Sequence, residues 1–455
     1  KHHDGFAIFH SEASGYNIVD ATPFGRDPVA ELAKACKNAG IKLCFYYSQK
    51  QDWHHPDASG NAWDYPSRPD KNFNRYMREK ALPQVREILT QYGPVGMIWY
   101  DTPQDITAAQ TKRFVKQVYD VQPNCIVNGR AGHGIGDYQS MGDNLIPPGR
   151  VDGDWETPAT LNDTWAYKTN DHNWKDLTGL IHRMVDIVSK GGNYLLNIGP
   201  KADGTIPPAS VKLLKGMGQW MSLNGEAVHG AGASPSPFEQ SWGAITSKRD
   251  RLYLNVVDWP SGKLILHGLQ SKVKRAYLLQ KADKDLKVLQ TQDPESGVDH
   301  LEVQIPKKAP NRHVSVIVLE TRVSPIMDQV LNQEGDGRVL LESFHAAIHT
   351  PTRGRGASPG RWGTVENWFN KENRVSWDFR LASPGRYMVQ VITQTDTSGR
   401  WEGGHDVRVN VGRSSVRGKL REVERRDNPR ANSYLLDVVS TVGTIVINKA
   451  GVHTL

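Results

Sequence analysis

The chain has 455 residues, of which 38% are hydrophobic and 23% are charged, and its formal net charge at pH 7 is +7. This length fits two or three domains and this composition is typical of a globular protein, with no apolar run long enough to cross a membrane. The three cysteines show no paired spacing, so we expect neither a disulfide framework nor a metal site. We expect no membrane or nucleic-acid partner.

The positive charge is concentrated near the end of the chain. Residues 351–455 hold 17 Lys/Arg against 10 Asp/Glu, whereas the remaining residues hold 39 of each kind. Two interpretations follow: a solvated basic surface, or a surface that binds an anionic polymer. The tryptophans of this segment belong either to such a surface or to the core, and they are Trp362, Trp368, Trp377 and Trp401.

The first half of the chain alternates helix and strand patterns. The clearest helix covers residues 27–40, which Asp27 can cap and Gly40 can end. Apolar strands and amphipathic helices then follow in chain order: a strand at 42–48, a helix at 74–92, a strand at 94–101, a helix at 107–121, strands at 125–130 and 154–157, a helix at 177–191, a strand at 193–200 and a helix at 210–225. This alternation predicts an α/β fold with a parallel sheet covered by helices, and a TIM-like (β/α) barrel is its economical closure.

The first residues, KHHDGF, are typical of the end of a strand. The visible strands are fewer than the eight of a complete barrel. We therefore expect residues 1–228 to form a barrel whose N-terminal part is missing.

The second half has short alternating strands separated by turn residues, which is typical of β-sandwiches. Residues 229–322 are predicted to form one sandwich, residues 323–337 a linker, and residues 338–455 a second, accessory sandwich. In composition and strand pattern this last region resembles accessory sandwiches of the carbohydrate-binding kind.

In such a barrel the functional side chains lie at the carboxyl ends of the strands. The strand ends carry carboxylates, aromatic rings, imidazoles, amides and one guanidinium, and these are His2, His3, Asp4, Tyr46, Tyr47, Trp99, Asp101, Asn128, Arg130, Asp154, Trp155, Glu156 and Asn197. Such a set is typical of a sugar site, where rings stack on C–H faces and polar groups bind hydroxyls.

Asp101 is the strongest catalytic candidate, because a carboxylate that ends an apolar strand is costly unless it is hydrogen-bonded or has a task. A loop-capping role is the alternative. His2 and His3, with Asp4, allow a metal site, hydrogen bonds to substrate, or a structural role. Adjacent strand residues point to opposite faces, which disfavours the metal.

A set of motifs in fixed order resembles a known family. KHHDGF, FYYS followed by DW, IWYD, VNGR, DWETPATLNDTWAY and VSKGGNYLLNIGPKADGTIP together resemble glycoside hydrolase family 29, the α-L-fucosidases. The resemblance covers residues 1 to about 230, with the following sandwich similar more weakly. It implies a retaining enzyme, which needs a nucleophilic carboxylate and a carboxylic acid about 5 Å apart.

The resemblance also implies roles for individual residues. Asp101 matches the nucleophile. The residues that match the family's fucose-binding side chains are His2, His3, Tyr46, Trp99 and Arg130.

The acid/base residue departs from the family pattern. The family's acid follows a D-F/Y pair, here Asp137-Tyr138, and the matching position is Gly142 or, with a shift of one residue, Asp143. Asp143 is the first candidate, and Glu156 at the next strand end is the alternative.

The resemblance implies an exo-α-L-fucosidase that acts on fucosylated oligosaccharides or polysaccharides, sulfated ones included, without metal or organic cofactor. The alternatives are a non-catalytic glycan-binding homologue and a glycosidase acting on L-galactosides. We expect a secreted protein, extracellular or periplasmic. The sequence does not indicate an oligomeric state.

Overall fold

The computed structural model describes residues 1–66, 70–350, 356–360, 363–397, 399–427 and 435–455. The chain divides into two compact units. The first unit comprises Lys1–Ser140 with Gly153–Glu156, and the second comprises Met141–Asp152 with Thr157–Leu455. Among the described residues, no helix is long and apolar enough to cross a membrane.

The first unit alternates helices with strands. Its elements are α1 (Pro28–Ala39), β1 (Leu43–Ser48), α2 (Phe73–Tyr76), α3 (Leu82–Thr90), β2 (Val95–Asp101), α4 (Ala108–Val121), β3 (Ile126–Val127), β4 (Gln139–Ser140) and the start of β5 (Trp155–Thr160). A π-helical turn, Met77–Ala81, joins α2 to α3, so the helix predicted at 74–92 is one nearly continuous helical segment.

The strands of the first unit pair in parallel. β1 pairs with β2, β2 with β3, and β4 with β5. The prediction of parallel strands alternating with helices is therefore confirmed for β1, β2 and β3, whose carboxyl ends lie at a common edge.

Local signals in the sequence explain where α1 begins and ends. The Asp27 side chain accepts hydrogen bonds from the backbone N–H groups of Val29 and Ala30, and Gly40 ends the helix with φ +67°. The apolar faces of the helices and strands form one core, whose largest fully buried members are Tyr47, Tyr76, Met77, Ile88, Leu89, Ile98, Tyr100 and Phe114.

The second unit begins with two helices and one strand and is otherwise rich in β-structure. Its first elements after the end of β5 are α5 (Leu177–Ser189), β6 (Asn193–Asn197) and α6 (Pro208–Asn224). Its next strands are β7 (Gly243–Lys248), β8 (Arg251–Val256), β9 (Lys263–His267), β10 (Val273–Leu278), β11 (Lys281–Asp285), β12 (Val288–Gln292), β13 (Asp299–Gln304) and β14 (Ser315–Thr321).

These strands form two sheets, with the orders β11-β10-β14-β8-β7 and β12-β13-β9. Neighbouring strands in both sheets are antiparallel. Both sheets contribute to one hydrophobic core, for example through Leu254 of β8 and Leu266 of β9. The prediction of a β-rich region here is confirmed. The strands β11 and β12 carry mostly exposed, polar side chains, so an apolar alternation does not indicate them.

The remaining strands follow after residue 330. They are β15 (Leu331–Asn332), β16 (Ala347–His349), β17 (Ser358–Pro359), β18 (Val365–Glu366), β19 (Arg374–Ser376), β20 (Asp378–Leu381), β21 (Gly385–Asp396), β22 (Asp406–Val411), β23 (Ser414–Lys419), β24 (Glu424–Asp427), β25 (Leu435–Ile447) and β26 (Gly451–Thr454). The segment predicted as a linker contributes β15, which pairs with β20.

Candidate active site

The carboxyl ends of β1 and β2 bring three predicted site residues together. The parallel register sets Tyr46 opposite Trp99 and Ser48 opposite Asp101. The Tyr46 and Trp99 rings stack with centroids 5.6 Å apart and an interplanar angle of 23°. The Tyr46 hydroxyl donates to Asp101 Oδ2 at 2.7 Å. The two strands thus build an aromatic wall that ends in a carboxylate.

The Asp101 carboxylate is held from several sides. Besides Tyr46, Arg130 Nη1 donates to its Oδ1 at 3.3 Å, and His3 Nε2 lies 3.9 Å from Oδ2. The Asp101 side chain keeps 14% of its surface exposed. A hydroxyl and a guanidinium directed at one carboxylate hold its two oxygens in place, and a positioned carboxylate can act as a nucleophile.

Arg130 lies in a short 3₁₀ helix, Gly129–Ala131, after β3. Its guanidinium carbon is 4.8 Å from the centroid of the Trp99 ring, a cation–π contact that keeps the side chain beside Asp101. Gly129 allows this turn to pack closely, since a Cβ there would be 2.8 Å from the Tyr138 carbonyl oxygen.

The HHDG turn brings two imidazoles to the same place. His3 Nδ1 and Ser48 Oγ are 2.8 Å apart, and the His2 ring lies 4.0 Å from the His3 ring and 5.3 Å from the Tyr46 ring. Burial lowers the pKa of His2, and burial together with the charge of His2 lowers the pKa of His3 to about 4. At neutral pH both imidazoles are therefore uncharged, and each can donate one hydrogen bond and accept another.

A glutamine that the sequence did not single out connects the two charged residues. Gln49 Oε1 accepts the backbone N–H of Asp101 at 2.7 Å, and Gln49 Nε2 donates to the Arg130 carbonyl at 3.1 Å. It is buried and follows β1 directly. Its position directly after a predicted strand was the one sequence signal that could have identified Gln49 as a site residue.

Glu156 lies in the first unit, buried at the start of β5. Its Oε1 accepts the Trp99 indole N–H at 2.5 Å and the Ser140 hydroxyl at 2.6 Å. Burial, with the charge of Glu156 next, raises the pKa of Tyr138. Glu156 therefore fixes the orientation of Trp99.

Asp143 lies in the second unit, on an exposed turn. The next residue, Asn144, has φ +56°, and its backbone N–H donates to the Pro158 carbonyl at 2.8 Å. The Asn144 side chain accepts the backbone N–H of Thr160 at 3.1 Å. These contacts anchor the turn that carries Asp143.

Three other strand-end residues face away from this cluster. Tyr47 is fully buried and donates to Gln84, and Trp155 is fully buried. The Asn128 side chain bonds both backbone groups of Tyr100 and so ties β3 to β2. Side chains alternate along a strand, so only every second residue can face the site. No group of three or more His, Cys, Asp or Glu in the described part of the chain is arranged to hold a metal ion.

The chain is similar to several known proteins. The family model for α-L-fucosidase matches residues 1–226. The chain is 29% identical over 333 residues to the tissue α-L-fucosidase of Macaca fascicularis and 30% identical over 286 residues to the α-L-fucosidase of Branchiostoma floridae, covering 67% and 61% of those proteins. These matches cover 68% and 58% of this chain.

A solved structure is similar over the whole chain. The crystal structure of an α-L-fucosidase from Vibrio sp. strain EJY3 matches 100% of this chain and 78% of its own, with 30% sequence identity and a TM-score of 0.86. This similarity extends through the β-rich second half.

Proposed function

Because this chain belongs to the α-L-fucosidase family of glycoside hydrolases, we propose that it removes terminal α-L-fucosyl residues from glycans with retention of anomeric configuration. The observation that carries the proposal is the Asp101 carboxylate, held by Tyr46 and Arg130 at the carboxyl end of β2. A positioned, partly exposed carboxylate is what a double displacement requires of its nucleophile.

The reaction proceeds in two steps. Asp101 attacks the anomeric carbon while the bond to the leaving oxygen breaks and the acid residue gives that oxygen a proton. Water then attacks the fucosyl–Asp101 ester, the same acid residue takes a proton from the water, and the Asp101 carboxylate leaves.

For the acid/base residue we propose Asp143, with Glu156 as the alternative. The bonds that Glu156 accepts from Trp99 and Ser140 favour a positioning role for it. Asp143 is exposed on an anchored turn, which suits a residue that exchanges protons with water and a leaving group.

We assign the fucose ring to the cluster around Asp101. The uncharged imidazoles of His2 and His3 and the guanidinium of Arg130 supply donors for ring hydroxyls. The stacked rings of Tyr46 and Trp99 offer a nonpolar surface for C–H groups.

The experiment that tests the proposal is hydrolysis of an aryl α-L-fucoside by the full-length protein, followed by proton NMR. We expect α-L-fucose as the first product. First formation of β-L-fucose would contradict retention. No turnover with binding intact would favour the glycan-binding homologue, and faster turnover of the matching L-galactoside would favour the other glycosidase. A pocket discriminates between a methyl and a hydroxymethyl group by only about 1–3 kcal/mol of binding free energy, so some L-galactoside activity is expected.

For the fold we propose a TIM-like (β/α) barrel over residues 1–228 and β-sandwiches over 229–322 and 338–455. The parallel pairing in the first unit and the two antiparallel sheets that share a core in the second support this. Location outside the cytoplasm, extracellular or periplasmic, stays a prediction.

Sulfated glycans are our proposed extension of the substrate range, and a cross-strand arginine pair supports it. Arg408 of β22 and Arg417 of β23 lie directly opposite each other and are both exposed. Two like charges in this position repel, and Asp406, whose Oδ2 lies 3.8 Å from Arg417 Nη2, offsets this repulsion only in part. An anionic glycan bound across the pair would offset it further. Retention on a sulfated fucan that falls steeply from low to moderate salt would support the extension, and retention insensitive to salt would reject it.

The tryptophans of residues 351–455 support the extension to sulfated glycans less than the arginine pair does. Trp368 is exposed, whereas the indole N–H groups of Trp377 and Trp401 donate to the Glu342 carbonyl and the Thr393 hydroxyl. Trp362 lies outside the described residues.

A further inference from the structure

Two tryptophans project from the loop that follows β1 in the first unit. Trp53 and Trp63 are 36% and 67% exposed, and their rings meet edge to face with centroids 5.4 Å apart. We call them the tryptophan pair. Two adjoining exposed indoles present an apolar surface that folding of this unit does not bury, which is typical of a surface that binds a ligand.

The tryptophan pair adjoins the candidate active site. The backbone N–H of Trp53 donates to the His3 carbonyl at 2.8 Å, and the Trp53 and His3 rings are 6.3 Å apart. His3 Nε2 in turn lies 3.9 Å from Asp101. One imidazole therefore separates the pair from the nucleophile, so a group next to a bound fucose is within its reach.

The position of Trp53 is fixed before any ligand binds. Gly60 has φ +78°, and a Cβ there would be 2.7 Å from Gln51 Oε1 and 3.0 Å from Trp53 Nε1. The absence of a side chain at Gly60 thus lets the loop close around the indole. The neighbouring residue Asp52 is anchored by Lys80, whose Nζ is 2.7 Å from Asp52 Oδ2. A pre-positioned ring loses little conformational entropy on binding.

We propose that the tryptophan pair is a subsite for the sugar to which the fucose is attached. This inference rests on the proposed function, since the pair lies beside the site assigned to fucose. A pyranose ring has an apolar C–H face that fits against an indole, and the edge-to-face pair offers one ring to stack on and another to close the side. Glycans in which a sugar follows fucose are therefore the preferred substrates over fucosides with small leaving groups.

The test compares a panel of fucosyl disaccharides with α-L-fucosyl fluoride, whose leaving group is too small to reach the tryptophan pair. In the full-length protein, Trp63→Ala should lower kcat/KM for the best disaccharide about tenfold more than for the fluoride. Trp63→Phe, which keeps an aromatic ring, should recover much of this loss. The control Phe24→Ala removes another exposed aromatic of the same unit and should leave the ratio of the two kcat/KM values unchanged.

If Trp63→Ala and Trp53→Ala lower kcat/KM equally for both substrates, or for neither, the subsite is overturned. Failure of the proposed function has a different signature, in which the wild-type protein turns over neither substrate. In that case the dissociation constants of the disaccharide and of free fucose decide whether the tryptophan pair binds the second sugar. A preference for the disaccharide that Trp63→Ala abolishes supports the subsite, and a preference that survives in Trp63→Ala, or no preference, rejects it.

Discussion

Two carboxylates of the first unit, Asp52 and Asp101, are surrounded in very different ways. The Asp52 side chain is fully buried between the ammonium groups of Lys1 at 3.5 Å and Lys80 at 2.7 Å. Asp101 is contacted by one hydroxyl and one guanidinium and keeps 14% of its side chain exposed. The Asp52 carboxylate is closed off from solvent, whereas Asp101 is open to a molecule from solution.

This difference in surroundings distinguishes Asp52, a structural carboxylate, from Asp101, the proposed catalytic one. Burial disfavours the ionised form of Asp52, but the charges of Lys1 and Lys80 outweigh it and lower the pKa. Gly5 of the HHDG turn packs against this carboxylate so closely that a Cβ would be 2.1 Å from Asp52 Oδ1. Asp52 therefore fixes the turn that carries His2 and His3, while Asp101 is left accessible beside them.

The largest expected effect is on Asp101. Asp101→Ala removes the nucleophile and should lower turnover of every fucoside by about 10⁴-fold or more, with little loss of folding stability. Azide should then fit the vacated space and attack directly, giving β-L-fucosyl azide with one inversion. Kinetics and NMR of the azide product measure this, and the melting temperature serves as the folding control. Turnover within tenfold of wild type would contradict the assignment.

The second prediction concerns Asp143 and Glu156. It asks which of them takes part in the reaction, as Asp101 does, and which only positions its neighbours, as Asp52 does. Asp143→Ala should lower activity on unactivated glycosides by about 10²–10⁴-fold and affect activated aryl fucosides far less, because these need little protonation. Azide should intercept the covalent intermediate of this variant and give α-L-fucosyl azide. Glu156→Ala should instead lower activity on both substrate classes without azide rescue, because it releases Trp99. The reverse pattern would exchange the two roles.

The third prediction concerns Asp52. Asp52→Asn leaves the buried Lys80 ammonium without its counterion, together with Lys1, whose pKa is lowered to about 7 by burial, and should lower the free energy of unfolding by about 3–5 kcal/mol. In the wild type this contribution is fully present above the unfolded carboxyl pKa, near 4, and is lost as the pH falls through the lower folded value. Urea unfolding at several pH values measures both effects. Lys80→Met in the Asp52→Asn background should cost less than Lys80→Met alone, because the second change then removes an unpaired charge.

The strand-end rule accounts for what the sequence could predict about the site. Tyr46, Trp99, Asp101 and Arg130 each follow or end an apolar strand, and parallel strands end at one edge, so their proximity followed from the pattern. The rule also selected Tyr47, which faces the opposite side of β1. Single-residue orientation depends on register, which the sequence leaves open.

The supporting contacts were not predictable, because they join residues far apart in the chain. Gln49 contacts Asp101 and Arg130 across separations of 52 and 81 residues, and no local pattern indicates such partners. The same holds for Asp52 and its two lysines. In the β-rich part, the pairing of β25 with β21 along twelve positions was likewise not predictable, because the two strands are far apart in the chain.

The smallest expected effect concerns His3, which links the two carboxylate regions through its contacts with the Trp53 backbone and with Asp101. Its pKa of about 4 lies below the unfolded value near 6.5, so the unfolded chain binds a proton first and stability falls as the pH drops from about 6.5 towards 4. The negative charge of Asp101 raises the pKa of His3 against the effects of burial and His2. Asp101→Asn should therefore move the His3 pKa below 4, as NMR titration of labelled histidine can measure. A His3 that titrates near 6.5 in both proteins would mean that its ring is solvated and apart from the nucleophile.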